Sequence, residues 1–376
     1  MLKDRAQKAM ALRLSISKRW LPQIEVEIEP SQRIEKTKSP LTDIDVLAVA
    51  PSAVGGHTRL VFDCKSGLRE SAIGRAFWLH GVMTRASAQH GFVILNEKVN
   101  VIRDHRVSAS DLNITLLHQT EIEDLAQGIG GSTLPTNALI ASMDCWEQFL
   151  AIGSKYNNLS EYLIFSRSSF WMIKNSGEQC RKTVQKLRSV SSELDPSKKE
   201  HLAVFADALC LFLLALSELS NKLFLVLLRP ASQADFSSSL LAFLYGGYES
   251  LETAIKIRKV TSVGDSEEAM SLFPEIKRLE HLVREILQAP QQALSAAILA
   301  REMGFEALEG TTSNFKETIA QESPYTPKFV LLGAEYLQKA ARLPPEFSAT
   351  FTDLSLDLLS SLTSRAIEAQ FPERLI

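Results

Sequence analysis

Thr42-Asp-Ile-Asp-Val-Leu-Ala-Val49, then a Gly55-Gly56 turn, then Arg59-Leu-Val-Phe-Asp-Cys-Lys65 is the stretch whose reading decides the fold. Both runs are short, rich in β-branched and aromatic residues, and bounded by turn-forming residues, so each reads as a strand and the pair as a hairpin. In the second run Arg59, Val61, Asp63 and Lys65 share one face, and Leu60, Phe62 and Cys64 share the other. Asp63 and Lys65 therefore project together. Asp45 stands in a run that is otherwise apolar, where an unpaired carboxylate is costly to bury.

Outward from this hairpin the pattern stays mixed. Upstream, Ile24, Val26 and Ile28 alternate with Glu25, Glu27 and Glu29, which predicts a strand over 23–29 with its acidic face in water. Downstream, Ala72, Ala76, Leu79, Met83 and Ala86 form one helical stripe. Gly91 is expected to end that helix, and Phe92–Leu95 to form a buried strand. A helix between two strands of one sheet implies a right-handed crossover and parallel pairing, so the sheet is expected to be mixed. A further strand over 113–117 precedes Thr120, whose Glu123 partner gives a capping-box start for a short helix ending near Gly128. The glycine-rich run from Gly128 to Ser132 places a domain boundary at about 130–135. This gives an α/β or α+β domain over 1–132 and an all-helical domain over 133–376.

Composition narrows the classes. Hydrophobic residues make up 45% and charged residues 23%, as in ordinary globular chains. The net charge of −3 is uneven: residues 1–134 carry 17 Lys+Arg against 15 Asp+Glu, and the rest 24 against 29. Lys3, Arg5, Lys8, Arg13, Lys18 and Arg19 face only Asp4 in the first twenty residues, a bias suited to phosphate contacts. A transit peptide also has this character, but Asp4 and the immediate continuation into a strand favour a first domain helix. Cys64, Cys145, Cys180 and Cys210 have neither zinc-ligand nor disulfide-framework spacing, which fits a reducing cytoplasm. Leu202–Leu228 is the most apolar stretch, but Asp207, Glu218 and Lys222 interrupt it. It reads as a core helix, and no membrane is expected as a partner. In the C-terminal half, Asp195 before Pro196 marks a helix start.

Hydrolysis of a phosphodiester needs a divalent cation to offset developing charge and a group that positions the attacking water. Two carboxylates and a lysine supply both. The order Asp45 on one strand, Asp63-Cys64-Lys65 on the next, and then a helix closing on Gly91-Phe-Val-Ile resembles the core of PD-(D/E)XK nucleases. The likeness is to the restriction-endonuclease-like, Mrr-like and Holliday-junction-resolvase-like members. It covers about a third of the chain and implies a restriction-endonuclease-like mixed sheet flanked by helices. By the same resemblance, Asp45, Asp63 and the backbone carbonyl of Cys64 bind Mg²⁺ (or Mn²⁺), and Lys65 orients the water. Many members carry a further acid on the first helix. Here that stretch offers only Asp4, close to the chain's start, with Glu25, Glu27 and Glu29 as distant substitutes. A second acid-x-Lys tripeptide, Glu275-Ile-Lys277, sits in a helical context and reads as a solvated face.

Gln89 and His90 are candidate substrate contacts at the end of the crossover helix, and Lys18 and Arg19 on the basic first helix. DNA is the expected substrate, and the helical half is expected to bind DNA, a protein partner or a second copy of the chain. Restriction or anti-phage defence is implied by the likeness. A nuclease-fold binding or assembly protein without activity, or an RNA- or junction-specific nuclease, fits the same residues.

Overall fold

The structure is a computed structural model and describes residues 2–30, 32, 34, 39–53, 55–130, 137–228, 232–261 and 273–370. Strands β1 (Leu21–Ile28), β2 (Thr42–Pro51), β3 (His57–Lys65), β4 (His90–Leu95) and β5 (Ile114–His118) form one sheet in sequential order. The first three pair antiparallel, and β3, β4 and β5 pair parallel. The sheet is mixed, as expected from a hairpin followed by a crossover helix, α2 (Ala72–Ala86). Helix α1 (Arg5–Ser17) precedes β1 and packs on the first three strands.

Several local details differ from the sequence reading. Helix α2 ends at Ala86 because Ser87 takes the left-handed conformation, φ 54°, and Gly91 lies inside β4. A Cβ on Gly91 would lie 2.8 Å from the Met83 sulfur and 2.9 Å from Leu79, so the glycine lets α2 rest on the sheet. The second crossover uses helix α3 (Arg103–Ser110). The capping box falls two residues earlier than expected: Glu121 accepts the His118 N–H at 2.8 Å, and α4 runs Ile122–Gly128. The acidic face of β1 is not open to water. Glu27 pairs with Arg167 of α6 (Ser160–Arg167), and Glu25 is half-buried against Lys8.

The chain divides into two compact units, residues 1–172 with Leu308–Ser313, and residues 173–307 with 314–376. Gly128 and Gly130 lie within the first unit, while Gly131 and Ser132 fall outside the described residues. The first unit continues because α5 (Met143–Lys155) is tied to the start of α1, and α6 and α7 (Ser169–Met172) to the sheet. The Leu2 N–H donates to Glu147 at 2.8 Å, Arg5 pairs with Asp144, and Arg59 donates to the Trp171 carbonyl at 2.6 Å.

The second unit is helical. Its centre is α9 (Lys199–Leu227), whose most apolar window is 89% buried. The helix therefore spends its apolar surface on protein neighbours. Around it stand α8 (Ser176–Ser189), α10 (Gln233–Tyr245), α11 (Tyr248–Thr261), α12 (Ile276–Ile286), α13 (Gln292–Glu309), α14 (Phe315–Glu322), α15 (Tyr325–Ala341) and α16 (Glu346–Gln370). Phe212 stacks on Tyr336 with centroids 5.2 Å apart, and Asp207 pairs with the buried Arg301. Asp195 does not open α9 directly. It accepts from Ser197 N at 3.0 Å in a turn, and the helix starts at Lys199.

Candidate active site

The β2–β3 register places the two carboxylates. Val46 pairs with Phe62, so Asp45 and Asp63 are the next residues on each strand, on one face of the sheet. Asp63 is 1% exposed and Asp45 8%. At this depth each needs its charge met by hydrogen-bond donors or cations.

Asp63 is met chiefly by Arg75. Ser71 caps α2 by accepting the Gly74 N–H at 3.2 Å, and the first turn so fixed brings Arg75 back over the end of β3. Arg75 grips Asp63 with two nitrogens, Nε on Oδ2 at 2.6 Å and Nη2 on Oδ1. The same guanidinium lies 4.2 Å above the centre of the Trp78 ring. Burial works against the charge on Arg75, yet Asp63 outweighs it and raises its pKa.

Asp45 is met by two lysines and a backbone donor. Its Oδ2 accepts the Cys64 N–H at 2.8 Å and the Lys65 ammonium at 3.0 Å, and its Oδ1 lies 3.0 Å from Lys8 Nζ. Lys8, from the first helix, also pairs with Glu25. Burial opposes its charge, but Asp45 and Glu25 together hold its pKa above the ordinary value. Glu25 stands across from Asp45, between the Ile24–Val46 and Val26–Ile44 pairs, with φ 52°. A non-glycine residue held in that region inside a strand is a strained conformation of the kind that gathers at functional sites. Burial raises the Glu25 pKa, with Lys8 pulling the other way.

Lys65 joins the two halves. Its ammonium lies 3.0 Å from Asp45 Oδ2, 3.1 Å from Asp63 Oδ1 and 3.0 Å from the carbonyl oxygen of Cys64. Burial disfavours its charge, but Asp63 and then Asp45 raise its pKa well above the lysine norm. It is a fixed cation at neutral pH. The Cys64 thiol is fully buried, and burial followed by the two aspartates pushes its pKa far up, so its sulfur is inert.

The three oxygens expected to bind a metal thus converge on one point, which a cation already holds. Two carboxylates and a carbonyl are the hard donors that Mg²⁺ takes, so the set fits such an ion once the ammonium swings aside. A second acidic group overlaps it: Glu25, Asp43 and Asp45 bring carboxylate oxygens within 4.8 Å of one another, a spacing that could hold a metal.

The remaining candidates lie elsewhere. His90 pairs with Leu60, three residues before Asp63 on β3, roughly 10 Å along the strand. Its Nε2 meets the Thr115 hydroxyl at 2.9 Å, and burial lowers its pKa. Gln89 accepts the Arg59 N–H at 2.7 Å. Both are committed to the sheet end away from the carboxylates. Lys18 donates to the Ala126 carbonyl at 2.6 Å and Arg19 to the Ile16 carbonyl at 3.4 Å. They sit at the far end of α1, about 15 Å from Lys8 by helical rise. Asp4 comes nearer than its position suggested. It accepts Ser66 N at 2.7 Å and Ser66 Oγ at 2.6 Å, and these bonds with the charge of Lys65 outweigh burial to lower its pKa.

Lys8, Arg75, Glu25 and Asp43 are the site's additional members. Lys8 was legible only as one of several basic residues on α1, and Arg75 carried no local signal. No protein-family model, characterised protein or solved structure matches the chain. Its function has to be read from these residues.

Proposed function

We propose that the first unit is a metal-dependent phosphodiesterase of the PD-(D/E)XK, restriction-endonuclease-like kind, acting on DNA. One observation carries the reading: Asp45 Oδ2, Asp63 Oδ1 and the Cys64 carbonyl meet within 3.0–3.1 Å of a single cation, the Lys65 ammonium. Asp45, Asp63 and that carbonyl would hold Mg²⁺ or Mn²⁺, which when bound supplies charge stabilisation and an acidified water. The Cys64 N–H keeps Asp45 aimed at this point. Lys65, held charged, serves as a proton donor in hydrogen bonds. It orients a water or a phosphate oxygen. The helical second unit would serve DNA, a protein partner or a second copy of the chain. A role in restriction or anti-phage defence rests on likeness to that superfamily alone.

A specific observation supports a second reading, a nuclease-fold binding or assembly protein without activity. The first helix delivers Lys8, not a carboxylate, to Asp45, and Arg75 occupies both oxygens of Asp63. Supercoiled DNA, linear DNA and RNA, incubated with the full chain with and without Mg²⁺ or Mn²⁺, separate the two. Metal-dependent cleavage abolished in Asp63→Ala and Lys65→Ala is the expected result. Cleavage that survives both substitutions refutes the site, and no cleavage of any substrate selects the second reading.

A further inference from the structure

Within the reading of Asp45 and Asp63 as metal ligands, we propose that Arg75 is a latch on the site: it competes with the divalent cation for Asp63, and once displaced it presents its guanidinium to a substrate phosphate.

The charge balance is the starting point. Three carboxylates, Asp45, Asp63 and Glu25, face three cations, Lys8, Lys65 and Arg75, in direct contact. Asp43 adds a fourth carboxylate beside Glu25 and Asp45, but the charge on Asp63 itself is already met by Arg75 and Lys65, which weakens its pull on a dication. Asp63 Oδ1 is also fully subscribed. Asp63 Oδ1 accepts from both Arg75 and Lys65, which uses its two lone pairs, and Oδ2 accepts from Arg75 Nε. A metal entering at Oδ1 displaces Lys65 and then lies beside a guanidinium on the same atom. The cation and Arg75 therefore bind Asp63 at each other's expense.

Arg75 suits this role better than Lys8 does. Lys8 is 3% exposed in its side chain and held between two carboxylates, so it has nowhere to go. Arg75 is 21% exposed, and its planar group already rests on the Trp78 ring, itself 36% exposed at the surface of α2. A guanidinium released from Asp63 and still stacked on Trp78 keeps its donor fork ordered for a planar pair of phosphate oxygens. The phosphate in turn returns the negative charge that the metal needs. Metal and substrate then bind cooperatively, each favouring the conformation the other requires.

Mn²⁺ binding to the full chain, read from the free-ion resonance signal without any substrate, tests the latch. Arg75→Gln is expected to bind Mn²⁺ about tenfold more tightly than the unsubstituted chain, the worth of one charged hydrogen bond. Arg69→Gln, which removes a nearby exposed charge that does not touch Asp63, is expected to change affinity by less than about twofold. Arg75→Lys keeps the charge but loses the two-pronged grip, so its affinity should fall between, and it serves if Arg75→Gln does not fold. Equal Mn²⁺ affinity in the Arg75 variants and the unsubstituted chain, equal gains in Arg69→Gln and Arg75→Gln, or no binding by any of them overturns the proposal. Tighter binding in Arg75→Gln without cleavage by any form leaves the latch standing and refutes the nuclease reading. Cleavage with unaltered Mn²⁺ affinity in the Arg75 variants does the reverse.

Discussion

Replacing Asp63 by Asn is the perturbation that separates a balanced ion cluster from an ordinary metal site. Where carboxylates gather for a metal, their mutual repulsion strains the metal-free fold, and neutralising one commonly stabilises it. Here the carboxylate is 1% exposed and answers Arg75 with two oxygens and Lys65 with one. Asparagine keeps the shape but removes the charge, and its amide nitrogen points a donor at a donor. Bonds to charged groups are worth roughly 1.5–3 kcal/mol each, but both partners retain about a fifth of their exposure and recover some solvation, so the net loss is roughly 2–3 kcal/mol. For a unit of this size that is a fall of about 5–10 °C in melting temperature. Trp20, Trp78, Trp146 and Trp171 are the chain's only tryptophans and all lie in the first unit, so their emission follows that unit's unfolding. The measurement is made in chelator, without metal. An Asn variant that melts at or above the unsubstituted chain refutes the view that Arg75 and Lys65 stabilise this fold through Asp63.

Three further outcomes are expected. Lys65, whose pKa Asp63 and Asp45 raise in the metal-free chain, contributes stability that is fully present below the unfolded value near 10.4 and lost only as pH climbs through the higher folded value, so stability measured in chelator should show no loss from Lys65 below about pH 10; a loss at pH 8–9 that is absent in Lys65→Arg contradicts this. In Gly177→Val the new Cβ falls 2.4 Å from the Phe243 carbonyl oxygen, forcing α8 from α10 and costing about 1–3 kcal/mol in the second unit; far-ultraviolet circular dichroism should register it while the tryptophan transition stays in place. Gln89→Ala should lose about 1 kcal/mol of first-unit stability with its bond to Arg59 and leave Mn²⁺ affinity within about twofold, and a larger change in affinity places Gln89 in the site after all.

The hairpin was legible because strand chemistry is local. Alternation over Arg59–Lys65 put Asp63 and Lys65 on one face without knowledge of any partner strand, and the apolar run around Asp45 marked a carboxylate in need of company. The mixed sheet followed from the order of hairpin and crossover helix. Helix α3 was not legible, since Ala109 is its one buried residue and so small a seam leaves no periodic trace. The wet face assigned to Glu25 failed for a related reason: the side chain that covers it, Lys8, comes from another element, and a lysine reads as solvent-facing until something buries it. Arg75 shows the same limit. Its distance from Asp63 in sequence says nothing until the Ser71 cap fixes the direction in which α2 starts. That the first unit runs on to Met172 was not legible because long-range bonds hold it: Arg167 pairs with Glu27 of β1, and the Trp171 carbonyl accepts from Arg59 of β3.

The sheet's strand order, β1 to β5 without permutation, bears on how the protein is made. Every strand pairs with its neighbour in sequence, so each pairing closes a short loop and none waits for a distant segment. A ribosome delivering the chain from its N-terminus could let the hairpin, α2 and β4 assemble in the order of their synthesis. Lys8, Glu25, Asp45, Asp63, Lys65 and Arg75 all emerge before β4 does. The carboxylates and the cations that neutralise them are thus translated within one short span, and a nascent chain that has formed the site has also formed its restraint.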